Sequence, residues 1–165
     1  MYWLVLIPAI LFLTVFEHNN YVYKFVFPED DKRTWYEAES LCETAENGHL
    51  TSLVSPSEIS WVDGVLKNAV RDPSSKVKLW IGGSDRKIYD VWDFVDGQPL
   101  RYNVVPWAPG QPKRPQQDVN YEYCVSLEFG GERSMWYVED CYGAHGYICK
   151  AEGRGTRLFF HFQFF

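Results

Sequence analysis

The chain has 165 residues, 46% apolar and 23% charged, which suits one globular domain with short flanks and excludes a solvated, disordered polymer or a second full core. Sixteen Lys and Arg against 22 Asp and Glu leave a formal charge of −6, which argues against a partner held mainly through phosphates or an anionic lipid surface. Its 7 Trp, 11 Tyr and 11 Phe point to a core or binding surface built from large rings.

Residues 1–16 carry no charged side chain and fall short of the ~20 residues that a spanning helix needs. They read as a signal peptide, with the leader ending near residue 20, although no Lys or Arg precedes the apolar stretch and no clear small-x-small cleavage site follows it. The alternative is an apolar strand packed on the domain. Thr34-Trp35-Tyr36-Glu37 forms a capping box that starts a helix with Trp35, Ala38, Leu41, Cys42 and Ala45 on one face, and Gly48 is expected to end it. Ser55-Pro56-Ser57-Glu58 repeats the device, followed by Ile59, Val62, Leu66 and Ala69, with Asp72-Pro73 as the stop. Beyond it, short apolar bursts at residues 77–81, 89–95, 124–127 and 147–149, separated by Gly, Pro and Asn, predict strands. Residues 102–123 carry Pro106, Pro109, Pro112 and Pro115 without periodicity, the signature of a long ordered loop of the kind that holds function. The run from Leu158 to Phe165 reads as an added edge strand or a chain end. Cys42, Cys124, Cys141 and Cys149 form an even set with no Cys-x-x-Cys knuckle, which favours two disulfides and an oxidising compartment over a zinc site.

In chain order these landmarks resemble a C-type lectin-like domain: Trp35-x-x-Ala38-x-x-x-Cys42, Gly48-His49-Leu50, Trp80-Ile81-Gly82-Gly83, Trp92-x-Phe94-x-Asp96-Gly97-x-Pro99-Leu100, Trp107-x-x-Gly110-Gln111-Pro112, Cys124-Val125, and Trp136 followed by Cys141 and Cys149. The resemblance covers residues 21–150, leaving 1–20 as leader and 151–165 as an aromatic tail. It implies an α+β fold of two helices, small antiparallel sheets and a long ordered loop. It also implies the family's short-form pairing, Cys42 with Cys149 and Cys124 with Cys141, which by chain entropy would stabilise by about 4–5 and about 3 kcal/mol.

Lectins of this family hold a calcium ion on the long loop and bind sugar hydroxyls through it. Their oxygens come from a Glu-Pro-Asn or Gln-Pro-Asp triplet, a glutamate before the third cysteine and an Asn-Asp pair after the late tryptophan. Here the triplet position reads Gln111-Pro112-Lys113, the glutamate is Glu122, and Tyr137-Val138 replaces the Asn-Asp pair. An ammonium offers no lone pair, so Lys113 is expected to repel calcium and, with Gln111 and Glu122 as partners, to occupy the cation position itself. At the family's auxiliary calcium site Asp85 matches one acidic ligand while Tyr89 replaces the next. No cofactor is therefore expected. The weaker alternative is a rearranged calcium site using Gln111, Glu122, Asp118 and Asn120, leaning towards galactose-type recognition by family analogy.

Trp107 reads mainly as packing, with stacking on a sugar or partner as its functional alternative. His49 and His145 read as structural or solvated. No nucleophile elbow, His-Glu-x-x-His pair or phosphate-cradling loop is present, which argues against an enzyme. The expected function is extracellular recognition of a protein or glycan without calcium, through Trp107, Lys113, Arg114, Tyr121, Tyr123, Arg133 and Tyr137, with Gln111 and Glu122 shaping the site. A calcium-dependent lectin and a structural or matrix component assembled through the Phe-rich tail are the alternatives. The chain encodes no heptad neck or collagen-like repeat, and a membrane role requires the leader to persist as an anchor.

Overall fold

The computed structural model describes residues 14–70, 72 and 74–153, so the start of the expected leader and the Phe-rich tail lie outside the described residues. Helix α1 (Trp35–Glu46) begins at the predicted capping box: the Thr34 side chain accepts from Glu37 N–H, and the Glu37 carboxylate accepts from Thr34 N–H at 2.9 Å. Its buried face is Trp35, Ala38, Glu39 and Cys42, whereas Ala45 is exposed. Asn47, at φ 54°, takes the left-handed position expected of Gly48. Gly48 is instead required by close approach, because a Cβ there would lie 2.3 Å from the Lys150 carbonyl oxygen. That contact lets strand β3 (His49–Leu50) pair with β8 (Gly146–Glu152).

Helix α2 (Pro56–Ala69) starts with Ser55 accepting from Glu58 N–H and Pro56 in the first turn. It buries Ile59, Val62 and Leu66 and ends at Val70, before Asp72-Pro73, with Ala69 exposed. The Glu58 carboxylate does not close a capping box. It accepts from Val54 N–H, the Tyr23 hydroxyl and Lys150, forming a buried ion pair that the local pattern could not specify.

The remaining strands are β1 (Val15–His18), β2 (Tyr21–Val26), β4 (Val77–Ile88), β5 (Val91–Phe94), β6 (Tyr123–Phe129) and β7 (Ser134–Asp140). They form one connected sheet in the order β1-β2-β8-β4-β6-β7, with β3 on β8 and β5 on β4. The pairings are antiparallel except β4 with β8, which run parallel and join the two halves at Leu79–Gly146 and Trp80–Tyr147. Val15–His18, inside the 1–20 segment expected as leader, pairs with β2 in the sheet. Phe16 meets Phe25 edge to face and His18 stacks on Trp61 of α2, so this segment packs on the domain.

One core cluster lies between α2 and the sheet, including Tyr23, Phe25, Leu66, Leu79, Phe94, Leu127 and Trp136. A second gathers Trp35, Cys42, Trp80, Tyr147 and both disulfides under α1. The bonds are Cys42–Cys149 and Cys124–Cys141, the pairing that the family resemblance implied.

Candidate functional site

Residues 95–122 leave the sheet after β5 and return at β6, and the proline-rich part of this loop is held at successive points. At its base Trp107 bridges Trp136 of β7, with Ala108 N–H donating to the Trp136 carbonyl at 3.0 Å and Trp136 N–H to the Pro106 carbonyl at 2.9 Å. The Trp107 ring lies edge-on to Trp92 and Trp136, with centroids 6.3 and 6.0 Å away, so it packs the loop onto the core.

Further along, the Gln111 side-chain oxygen accepts from Val138 N–H and Lys113 N–H, both at 3.1 Å, and the Gln111-Pro112 peptide is cis. The family's triplet and Asn-Asp positions thus do meet. They meet through a neutral amide oxygen given to the backbone, because Val138 offers no side-chain donor to a metal.

The loop's internal cation is Arg114. Its side chain is 2% exposed and paired with the fully buried Asp85 carboxylate of β4. The same guanidinium donates to the carbonyls of Asp118 at 2.8 Å and Tyr121 at 2.6 Å. It also lies over the rings of Tyr89 and Tyr123, at 4.1 and 4.8 Å from their centroids. Asp85 accepts in addition from Tyr123 N–H at 2.8 Å, and Tyr89 O–H donates to Gln117 at 3.0 Å. One planar cation therefore ties residues 118–123 to residues 85–89, and it does so at Asp85 and Tyr89, the two positions matched to the auxiliary calcium site.

The contacts expected of Lys113 are not made. Lys113 is exposed and forms no ion pair among the described residues, while Arg114, one residue later, points inward. Glu122 turns towards α1 instead, accepting from Tyr36 O–H at 2.5 Å and Arg86 Nε at 3.1 Å. Burial and this hydrogen bond both raise the Tyr36 phenol's pKa. The rearranged oxygen site does not assemble either, because Asp118 accepts from Asn120 in a local turn while Gln111 and Glu122 serve separate partners. Tyr137, in the place of the missing Asn, is half-buried with the Lys78 ammonium over its ring. These residues do not fit a calcium ion: the donors diverge, and Asp85 is already paired with a guanidinium.

At the end of β7, Glu139 accepts from Lys78 and His145. Burial opposes its ionisation, but the hydrogen bonds from His145 and Lys78 outweigh it and hold the carboxyl at about 2. His145 is thereby fixed against Trp80 and Glu139 rather than free in a solvated turn.

The Lectin C-type domain model matches residues 31–151. The chain is a member of the C-type lectin domain family. Among curated C-type lectin relatives, mouse lithostathine-1 is 27% identical over 136 residues, covering 82% of this chain and 75% of its own. The crystal structure of human lithostathine superposes with a TM-score of 0.68 at 24% identity, covering 85% of this chain and 89% of its own, a likeness of fold. The cow carbohydrate-recognition domain of CD23, solved in the presence of a GlcNAc2Man3 oligosaccharide, gives 0.63 at 26% identity over 85% of this chain and 94% of its own. Within this C-type lectin frame, sequence reasoning located the loop and the Asp85–Tyr89 pair. It assigned the cation to the wrong neighbour, because a run of Lys113-Arg114 does not reveal which side chain turns inward.

Proposed function

We propose that the protein is a secreted recognition module that binds a glycan or protein ligand through the long-loop face without calcium. The observation that carries this reading is the buried Arg114 guanidinium, which satisfies Asp85 and two loop carbonyls and so orders the loop with a permanent internal cation. Exposed side chains of the loop include Lys113, Val119 and Tyr121 beside polar Gln116, Asp118 and Asn120, with Trp107 and Gln111 less exposed, which offers a ring, an aliphatic group, an ammonium and polar groups for contact. Arg133, expected among the contacts, lies instead at the β6–β7 turn near Asp63 of α2, at the far end of that hairpin from Glu122. The CD23 domain solved in the presence of an oligosaccharide supports the glycan class as one ligand type. The two disulfides support an extracellular compartment.

The test is glycan- and protein-array binding of the full chain with and without a chelator, together with calcium titration by calorimetry. The reading expects binding that survives chelation, no calcium uptake at micromolar to low millimolar concentration, and loss of signal with Lys113→Ala or Tyr121→Ala. Binding abolished by the chelator and restored by calcium would overturn it in favour of the calcium-dependent lectin.

A further inference from the structure

Three carboxylates are buried among the described residues, and they differ in what neutralises them. Glu58 lies 2.6 Å from the Lys150 ammonium and Asp85 is paired with the Arg114 guanidinium. Glu39, on α1, has neither kind of partner. Its Oε2 accepts from Leu50 N–H at 2.7 Å, and its Oε1 lies 2.5 Å from Nδ1 of His49. Glu43, one helical turn later, lies 3.8 Å from the same nitrogen and makes no other ion pair among the described residues.

The donor atoms of Glu39, Glu43 and His49 lie within 4.8 Å of one another. They stand beside a groove of about 720 Å³ lined by Glu43, His49, Ser52, Asp96, Lys150 and Glu152. Lys150, the groove's ammonium, is already committed to Glu58 and Ser52. We propose that Glu39, Glu43 and His49 form a binding site for a divalent transition metal of the zinc class.

One imidazole nitrogen and two carboxylate oxygens are a zinc donor set, whereas calcium takes six to eight oxygens. A tetrahedral ion with bonds of about 2.1 Å spaces its ligands about 3.4 Å apart. The 2.5 Å separation must open and the 3.8 Å separation close, both within reach of side-chain rotation because His49 and Glu43 are 41% and 55% exposed. Glu39 is the fixed point, held by Leu50 N–H. The metal takes the Nδ1 lone pair of neutral His49, so loading is opposed by protons. Water or a ligand oxygen from the groove completes the coordination. All four cysteines are in disulfides, so no thiol competes for the ion.

The experiment titrates zinc chloride by calorimetry into the full chain at neutral pH, with calcium chloride and magnesium chloride in parallel, and repeats it on His49→Gln and Glu43→Gln. One zinc ion per chain is expected at micromolar affinity, weakened about tenfold or more by either substitution, a loss of at least about 1.4 kcal/mol. Zinc is expected to raise the melting temperature of the unsubstituted chain more than that of either variant. Each variant's metal-free melting curve checks that the comparison is made on folded protein. No zinc binding up to about 1 mM, a dissociation constant worth only about 4.1 kcal/mol, overturns the proposal. So does zinc affinity in both variants equal to that of the unsubstituted chain, or displacement of zinc by an equal concentration of calcium.

Discussion

Asp85 and Glu39 are both buried carboxylates next to a disulfide-bonded element, yet their surroundings differ in kind. Asp85 faces a guanidinium that is charged at every accessible pH, and the loop that supplies it is folded down over the pair. Glu39 faces an imidazole, which carries charge only when protonated, and the groove beside it is lined by Glu43 and His49. The first arrangement builds the counter-ion into the chain and closes the site. The second leaves the counter-ion exchangeable. The long-loop end thus carries its counter-ion in Arg114, while Glu39 on α1 has no guanidinium or ammonium partner.

The largest effects should come from cutting the two ends apart covalently. Replacing Cys42 and Cys149 by Ser opens a link spanning 107 residues and is expected to lower stability by about 4–5 kcal/mol in urea unfolding, against about 3 kcal/mol for Cys124 and Cys141, which span 17. Equal losses would mean that native strain, not chain entropy, sets the order.

Arg114→Met leaves the Asp85 charge buried without its partner and should cost about 3–5 kcal/mol, with faster proteolysis of the loop. Adding Asp85→Asn to that variant should recover part of the loss. Strict additivity in the double-mutant cycle would show that the pair is not coupled.

Acid should separate Glu139 from Glu39. Glu139 has a folded pKa near 2, below its ordinary 4.5, so its contribution is complete above about 4.5 and disappears as pH falls towards 2, worth at most about 3 kcal/mol. Glu39 is shifted the other way: its ionised form is disfavoured in the fold, so its contribution grows more favourable as pH falls through its raised pKa. Unfolding free energy measured between pH 2 and pH 7 should therefore lose part of its acid sensitivity in Glu139→Gln, and gain some in Glu39→Gln. The same sign in both variants would contradict the contrast. The smallest expected effect is at the helix start, where Thr34→Ala should remove about 1 kcal/mol by leaving the first turn of α1 uncapped.

Much of this was legible in one dimension. The capping box at Thr34, proline at the start of α2, and the apolar faces of Trp35, Ala38 and Cys42 and of Ile59, Val62 and Leu66 depend on neighbours a few residues away, and the structure reproduces them. Strands were readable where apolar bursts are long, as at residues 77–81 and 124–127. The strand Val15–His18 was hidden in an apolar segment whose composition also suits a leader. Gly48 was placed at a helix end on local grounds, whereas its requirement is set by the Lys150 carbonyl on another strand. At the site, Trp107 was read as packing and packs. Lys113 and Arg114 were told apart only by the direction of the chain around Gln111-Pro112, which local sequence does not encode.

By itself, the sequence determined the family, the cysteine set, both helix starts and the loss of oxygen donors at Lys113, Tyr137 and Val138, because each is a property of residue type and short spacing. Tertiary structure alone decided which cation is buried, that Glu122 belongs to Tyr36 and Arg86, that Glu58 is an internal ion-pair partner, and that Glu39, Glu43 and His49 converge. Those outcomes depend on side-chain direction and on contacts between segments distant along the chain, where a few ångströms separate a salt bridge from a solvated charge.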